Sequence, residues 1–319
     1  MTPDGFNPAQ CGREQMVHAA RVDARMHPDE LEVTEPICRR LIDEQFPQWR
    51  DLPLRAVSWG TVNAVYRLGA DLCVRVPRRA EWAAALEQEV RWLPVLAPSL
   101  PVPIPEPVAL GAPSDEYPVA WAVYTWLDGT PMLKAQRVDQ TAIAEELAGF
   151  VEAIQRIEVP SDPPASNRRV PLDARDEPVR ASIPGLAADG IDIVAVTAAW
   201  EHALAAPSWS GSPVWMHGDL MPTNLLVRGD GGLAGVLDFG VCTTGDPACE
   251  SLLAWMTLTW SSRARYRELV ALDDAAWARA RGWALSFAVL AAPYYRRTFP
   301  VFAGVARRAI AEVLAENLE

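Results

Sequence analysis

The sequence has little histidine and almost no lysine, and its cysteines do not stand at metal-binding spacing. It contains 4 histidines, 5 cysteines and, among 29 basic residues, one lysine, Lys134. No two cysteines form a C-x-x-C pair, so neither a zinc site nor a disulfide framework is indicated. The longest apolar run, near 283–295, is interrupted by Pro293, and no basic start precedes an apolar stretch. We therefore expect a cytoplasmic protein with no membrane partner.

Basic residues are also fewer than acidic ones. The chain has 29 basic and 41 acidic residues, which gives a net charge of −12. This balance argues against nucleic acid and anionic membranes as partners and permits attraction of cationic ligands. Because half of the 319 residues are apolar, the chain can bury the core of one large domain or two ordinary ones. We expect a monomer or homodimer that binds a small-molecule substrate, which its charge predicts to be cationic.

The pattern of apolar residues predicts an α+β fold with two lobes. Residues 1–28 are polar and aperiodic, as in a flexible leader. Short alternating runs at 54–58, 64–68 and 72–76, separated by turn signals, predict an antiparallel meander. From about Leu127 onward the pattern is helical, with a proline-rich loop or insertion at 160–180. We expect a small N-terminal antiparallel-sheet lobe over 29–126 and a larger, mainly helical lobe over 127–319.

One carboxylate lies in an otherwise apolar helical stripe. The apolar residues of the helix predicted over 80–97 recur at steps of four, seven and three. Glu89 fills the gap in this stripe, so it is expected to point inward.

Three oxygen-bearing side chains stand at the ends of adjoining short strands. Asp219 and Asn224 follow the strand at 214–216, and Asp238 follows the hairpin strand at 233–237. Hard oxygen ligands without histidine or cysteine suit Mg²⁺, which takes its other ligands from phosphate and water. With Asn224 and Asp238 on the metal, Asp219 can face a substrate hydroxyl, as phosphoryl transfer requires. The alternative is a hairpin whose acids only cap turns, and we interpret His217 as a structural residue of this loop.

The motifs resemble those of a known family. HGDLMPTN at 217–224, VLDFG at 236–240 and GTVNAVYRLG at 60–69 are similar to the aminoglycoside phosphotransferase family, whose fold resembles that of protein kinases. The resemblance extends from about Asp29 to the C-terminus. It implies that the lobe over 29–126 binds nucleotide and that the lobe over 127–319 is catalytic and binds the substrate. It implies that Asp219 is catalytic, that Asn224 and Asp238 bind Mg²⁺, and that ATP or GTP is the co-substrate. The aspartate of the Gly-Asp-Pro segment, Asp246, is interpreted as structural.

The nucleotide-binding residues depart from the family pattern. Where the family carries a lysine on the third strand this chain has Arg75, which keeps the charge and can bind phosphate in bidentate fashion. Its expected partner is Glu89, with Glu87 as the alternative, and the pair could also be an ordinary salt bridge. The phosphate-covering loop is reduced to Ser58, Gly60 and Thr61, which could equally form a plain hairpin turn.

The adenine and acceptor sites are the least specified parts of the sequence. By resemblance, adenine binds backbone groups where the strand before the hinge ends, at Trp126 and Leu127. The acidic surplus favours a cationic acceptor such as an aminoglycoside, and Glu250, Asp273 and Asp274 are possible lining residues. For Asp273 and Asp274 a solvated surface is the favoured alternative. A macrolide or a small metabolite remains an alternative acceptor. No Ala-Pro-Glu segment follows Asp238, which disfavours a protein kinase, and a non-catalytic nucleotide-binding protein is the remaining alternative.

Overall fold

The computed structural model describes residues 29–59 and 62–316. Their contacts divide them into two compact units. The first contains the described residues up to Val90 together with Glu106–Trp126, and the second contains Arg91–Pro105 and the described residues from Leu127 onward. Residues 91–105 thus group with the second unit, whereas the sequence pattern assigned them to the N-terminal lobe. The predicted leader, 1–28, and the turn residues Gly60 and Thr61 lie outside the described residues.

The first unit is built on a five-stranded antiparallel sheet. The strands are β1 (Leu54–Trp59), β2 (Asn63–Leu68), β3 (Leu72–Pro77), β4 (Pro107–Gly111) and β5 (Trp121–Thr125), in the order β1-β2-β3-β5-β4. Helix α1 (Glu35–Gln45) begins at Thr34, whose side chain accepts a hydrogen bond from the Ile37 N–H. Helix α2 (Ala83–Leu96) follows β3, and its residues up to Val90 belong to this unit.

Side-chain alternation along β3 separates a core face from a polar face. Val74 and Val76 are fully buried in the cluster formed by α1 and the sheet. Because successive side chains of a strand point to opposite faces, Arg75 lies on the other side, together with Cys73. That side is where Arg75 meets α2.

The second unit is mainly helical. Its helices are α3 (Gln140–Gln155), α4 (Asp176–Ser182), α5 (Ile193–Leu204), α6 (Pro247–Glu250), α7 (Leu253–Met256), α8 (Trp260–Val270), α9 (Asp274–Tyr294) and α10 (Pro300–Glu316). Most of α9 is buried, and it packs against α5, α6 and α10. The side chain of Asp273 accepts a hydrogen bond from Ala276 N–H at 2.7 Å and so caps α9. Among the described residues, no helix combines the length and apolarity that crossing a membrane requires.

Two small antiparallel sheets carry the loops of interest. Strand β7 (Val214–Met216) pairs with β10 (Thr243–Gly245), and β8 (Leu225–Val227) lies between β6 (Thr130–Pro131) and β9 (Leu233–Val236). The proline-rich segment after α3 packs onto this region. Ser166 Oγ donates to the Val241 carbonyl at 2.8 Å, and Thr243 Oγ1 donates to the Pro164 carbonyl at 2.5 Å.

Candidate functional site

The loop from His217 to Asn224 joins β7 to β8, and Asp238 follows β9. The Leu237 N–H donates to the Asn224 carbonyl at 2.8 Å, which extends the pairing of β8 with β9. This bond places Asp238 next to Asn224 at the end of the hairpin. The three predicted oxygen-bearing side chains therefore come from one compact region of the second unit.

The carboxylate of Asp219 is held on both oxygens. Oδ1 accepts a hydrogen bond from Arg168 Nη2 at 3.2 Å, and Oδ2 accepts one from Asn224 Nδ2 at 3.0 Å. The side chain is still 21% exposed, so part of it can meet another molecule. Burial raises the pKa of Asp219 to about 6, and the positive charge of Arg168 opposes that rise. At neutral pH the group is thus mostly ionised and fixed in orientation.

Asp238 has an unusual backbone conformation. Its φ is 64°, in the left-handed region that residues with a Cβ rarely occupy. Such strain tends to occur where a side chain must be aimed at a ligand. The charge of Asp238 also raises the pKa of Asp219, so the two carboxylates lie within electrostatic reach of each other.

The donor chemistry fits Mg²⁺. Asn224 turns its amide nitrogen toward Asp219, which leaves its amide oxygen for a cation, and Asp238 can add a carboxylate oxygen. In the described part of the chain there is no group of three or more His, Cys, Asp or Glu residues that could hold a metal. A site with two protein ligands fits Mg²⁺, because this ion usually keeps several bound waters and binds phosphate oxygens.

His217 has a structural role in this loop. Its side chain is fully buried, Nδ1 accepts a hydrogen bond from the Asp219 N–H at 3.1 Å, and Nε2 lies 3.0 Å from the Leu237 carbonyl. Because Nδ1 is the acceptor, Nε2 carries the proton and donates it. Burial lowers the pKa of His217 to about 4, so the ring is neutral at physiological pH. Both nitrogens are used, which leaves no role as a general base.

Glu250 supports the same loop through a hydrogen bond to the loop backbone. Its Oε2 accepts a hydrogen bond from the Gly218 N–H at 2.9 Å, the residue is fully buried, and burial raises its pKa to about 8. The suggestion that Glu250 lines an acceptor pocket is therefore wrong, because the side chain lies inside the protein. Gly218 has a φ of 78°, and a Cβ there would approach Arg168 Cγ to 3.0 Å, so this position favours glycine.

The other acidic residues named from the sequence have structural contacts. Asp246 caps α6 through the Ala248 N–H and pairs with Arg279, whose Nε lies 2.7 Å from Oδ2. Asp274 is almost fully exposed and pairs with Arg267 at 2.6 Å.

In the first unit, Arg75 and Glu89 form an ion pair. Arg75 Nη1 lies 2.8 Å from Glu89 Oε2, with side chains 11% and 2% exposed. Tyr124 donates its hydroxyl to the same carboxylate oxygen at 3.2 Å, and the guanidinium lies 5.2 Å from its ring centre. Glu87, the alternative partner, is exposed. The inward carboxylate of the helical stripe is thus the one that meets Arg75.

The two arginines after β3 have different surroundings. Arg78 Nη2 lies 2.6 Å from Glu30 Oε2, with the side chains 1% and 2% exposed. Burial lowers the pKa of Arg78, and the carboxylate opposes this effect. Arg79 is partly exposed and pairs with Asp29 and Glu81. Arg78 is therefore part of the interior of the first unit.

The remaining predicted nucleotide contacts are only partly placed. Ser58 belongs to β1, while Gly60 and Thr61 lie outside the described residues. The backbone N–H of Trp126 donates to the Asp71 carbonyl at 2.7 Å, and the Arg67 guanidinium lies 4.5 Å from the centre of the Trp126 ring. That N–H is thus already used within the unit and is not available to a base. Leu127 belongs to the second unit.

Sequence reasoning missed Arg168. It lies in the proline-rich segment read as a loop or insertion, where no periodicity marks a buried side chain. Besides contacting Asp219, its Nε donates to the Gly218 carbonyl at 2.9 Å, and its guanidinium lies 5.1 Å from the ring centre of Phe287. The only available signal was the scarcity of lysine, which requires an arginine wherever the site needs a cation.

An aspartate beside side-chain oxygens that fit Mg²⁺ suits phosphoryl transfer, and the sheet-plus-helix architecture is that of the kinase-like phosphotransferases. The model of the phosphotransferase enzyme family APH matches residues 53–283, and the chain belongs to that family. The predictions of the family and of a phosphotransferase are confirmed. A search of curated proteins finds no match to the chain.

Solved structures share the fold at low sequence identity. The GDP complex of aminoglycoside 2′-phosphotransferase-IIIa is 18% identical, with a TM-score of 0.69 over 89% of this chain and 100% of that one. The streptomycin–ATP complex of APH(2″)-IIa is 17% identical, with a TM-score of 0.56 over 89% and 97%. A macrolide 2′-phosphotransferase from Brachybacterium faecium is 22% identical, with a TM-score of 0.57 over 85% and 96%. The predicted α+β, protein-kinase-like fold is confirmed.

Proposed function

We propose that the protein transfers the γ-phosphate of ATP or GTP to a hydroxyl group of a small molecule in the cytoplasm, in a Mg²⁺-dependent reaction. The observation that carries this proposal is the carboxylate of Asp219. It is fixed by Arg168 and Asn224, partly exposed, and next to the hairpin that ends in Asp238.

The chemistry assigned to Asp219 is positioning followed by proton transfer. Its carboxylate would accept a hydrogen bond from the acceptor hydroxyl and align the oxygen with the phosphorus. As the new O–P bond forms and the bond to the nucleoside diphosphate breaks, the hydroxyl proton passes to Asp219. A bound Mg²⁺ would neutralise phosphate charge, with Asn224 and Asp238 supplying protein oxygens to hold it.

For the N-terminal lobe, proposed as 29–126, we assign Arg75 to the nucleotide phosphates. Glu89 and Tyr124 hold the guanidinium group from one side. Arginine offers a planar fork of donors in place of the family's lysine ammonium. Solved structures of the same fold contain GDP, ADP or ATP, which supports a nucleotide co-substrate.

Two acceptor classes are candidates. Solved structures of this fold contain bound aminoglycosides, and the net charge of −12 on this chain would attract such cations. Macrolides are the second candidate, favoured by the aromatic ring of Phe287 against the arginine that contacts Asp219. Phosphorylation of either antibiotic would confer resistance by blocking a hydroxyl.

A panel assay tests the proposal. Purified protein is incubated with Mg²⁺ and either ATP or GTP, together with aminoglycosides, macrolides or small amino alcohols, and phosphorylated acceptor is measured directly. We expect acceptor-dependent release of nucleoside diphosphate together with an equal amount of phosphorylated product. Nucleotide hydrolysis that no acceptor stimulates, without any phosphorylated product, would contradict the proposal.

A further inference from the structure

A short irregular stretch of chain between α3 and α4 contacts the loop that carries Asp219. We define this stretch, residues 164–168, as the strap. Pro164 and Arg168 are buried and Ser166 is half-buried, whereas the two residues between them are exposed. The strap thus has an inner side, on which its contacts to neighbouring segments are made.

Ser166 connects the strap to the turn that follows Asp238. Its Oγ donates a hydrogen bond to the Val241 carbonyl at 2.8 Å. Val241 lies in a tight turn, which is closed by a hydrogen bond from the Cys242 N–H to the Phe239 carbonyl at 2.9 Å. Because this turn starts directly after Asp238, a fixed Val241 carbonyl limits how far the backbone at Asp238 can move.

The same hydroxyl group also directs the strap toward Asp219. Ser166 Oγ accepts a hydrogen bond from the Arg168 N–H at 3.2 Å, in the local turn that serine side chains form with the N–H two residues later. Arg168 in turn contacts the Gly218 carbonyl and the Asp219 carboxylate. One hydroxyl group therefore makes one hydrogen bond toward each of the two segments that carry the site's aspartates.

The packing at Gly218 shows independently that these contacts belong to one cluster. A Cβ added to Gly218 would lie 3.0 Å from Arg168 Cγ and 3.6 Å from the Val241 carbonyl oxygen. The loop of Asp219, the strap and the turn after Asp238 thus meet at this glycine. A shift of any one of the three would be felt by the other two.

A second hydrogen bond keeps the strap in place. Thr243 is fully buried, and its Oγ1 donates to the Pro164 carbonyl at 2.5 Å. Thr243 begins β10, which pairs with β7, the strand that leads into the loop of Asp219. Because this anchor does not involve Ser166, the strap is expected to stay folded when the Ser166 hydroxyl is removed.

We propose that Ser166 is a positioning residue that fixes Asp219 and Asp238 relative to each other. In the reaction assigned to this site, the two carboxylates act on the same phosphoryl transfer, one at the acceptor hydroxyl and one at the metal, so their relative position affects the rate. Arg168 and Asn224 orient Asp219, and Ser166 joins that arrangement to the segment of Asp238. This inference rests on the proposed phosphotransfer function and extends it to a residue outside the reacting groups.

Hydrogen exchange tests the strap without nucleotide, Mg²⁺ or acceptor. Backbone amide exchange is compared by mass spectrometry in wild type, in Ser166→Ala and in the control Ser161→Ala, which alters an exposed serine of the same proline-rich segment. We expect Ser166→Ala to speed exchange about 2- to 10-fold in both 217–224 and 238–243, the range for losing one neutral hydrogen bond. The control should leave both segments unchanged. Wild-type exchange in either segment of Ser166→Ala would overturn the proposal, whether or not the wild type transfers phosphate.

Kinetics test whether Ser166 acts on Asp219 through Arg168. With an acceptor that the wild type phosphorylates, Ser166→Ala should lower kcat about 2- to 10-fold and raise the Mg²⁺ concentration for half-maximal activity by a similar factor. Both values should stay unchanged in Ser161→Ala. In the Arg168→Lys background, adding Ser166→Ala should lower kcat less than in wild type, because the path to Asp219 is already broken, whereas the shift in Mg²⁺ dependence should persist.

Thermal unfolding checks that each variant is folded. Additive effects on kcat in the double variant, or an unchanged Mg²⁺ dependence in Ser166→Ala, would overturn the proposal. Absence of phosphorylated acceptor from the wild type would instead contradict the proposed function, and the exchange experiment would still decide whether Ser166 holds both segments.

Discussion

Arg168 and Asp219 form an ion pair in which Arg168 Nη2 lies 3.2 Å from Asp219 Oδ1, while Arg168 Nε bonds the carbonyl of Gly218 at 2.9 Å. One guanidinium thus fixes both the carboxylate and the backbone that precedes it. Since Asn224 holds the other carboxylate oxygen, the direction in which Asp219 faces a substrate depends on these two side chains.

Replacing Arg168 should slow the reaction more than it weakens nucleotide binding. Arg168→Lys keeps a charge but cannot reach both partners with a rigid fork, so we expect kcat to fall about 10- to 100-fold. The KM for nucleotide should change little. Steady-state kinetics give both values, and the exposed neighbour in Arg169→Lys is the control. An unchanged kcat in Arg168→Lys would show that this contact does not position Asp219.

Arg75→Ala should raise the KM for nucleotide and lower kcat, because the guanidinium held by Glu89 is assigned to the phosphates. The matched control is Arg79→Ala, which removes an arginine with surface partners and should leave the kinetics near wild type. Thermal unfolding of each variant separates loss of fold from loss of function. Equal kinetic effects of the two substitutions would mean that Arg75 is not the phosphate-binding arginine.

Arg78 should matter for stability. Arg78→Met removes the guanidinium that lies 2.6 Å from the buried carboxylate of Glu30, so we expect the free energy of unfolding to fall by about 3–5 kcal/mol. The double variant Glu30→Met, Arg78→Met removes both charges and should recover much of that loss. Urea unfolding measures all three proteins. If Arg78→Met were as stable as wild type, that result would contradict a stabilising role of the buried ion pair.

The raised pKa of Glu250 predicts that the stability of the fold depends on pH. Its pKa is raised by burial to about 8, from an ordinary value of 4.5. The protonated form is therefore favoured in the folded state, and its stabilising contribution is complete below pH 4.5 and is lost as the pH rises to about 8. Glu250→Gln cannot ionise, so its melting temperature should fall less than that of wild type between pH 5 and 8. Parallel melting curves over that range would contradict a neutral Glu250.

The metal assignment predicts graded effects on magnesium dependence. Asp238→Asn removes the only charged ligand assigned to Mg²⁺, so the magnesium concentration for half-maximal activity should rise strongly. Asn224→Ala removes a neutral ligand and also the bond to Asp219, so it should combine a smaller shift in magnesium dependence with a lower kcat. Magnesium titrations at saturating nucleotide measure both effects. Identical titration curves for wild type and Asp238→Asn would rule out the assigned ligand.

The site residues that could be predicted from the sequence are those marked by a short local pattern. Asp219, Asn224 and Asp238 lie within twenty residues on loops next to paired strands, and Glu89 is marked by the helical period of its neighbours. No local pattern marks Arg78 as buried, because its partner, Glu30, lies 48 residues away. Arg168 and Glu250 are 51 residues before and 31 after Asp219, and no periodicity links them to it. Contacts made across such distances depend on the packed fold, which short motifs do not specify.

The most direct test of the account is acceptor phosphorylation by Asp219→Asn beside wild type, measured at saturating Mg²⁺ and nucleotide with nucleotide affinity determined separately. The amide keeps the size of the side chain but cannot take the hydroxyl proton. We predict that kcat falls by several orders of magnitude while the Kd for nucleotide stays near the wild-type value. Wild-type turnover in Asp219→Asn would contradict the central claim that this carboxylate directs phosphate transfer.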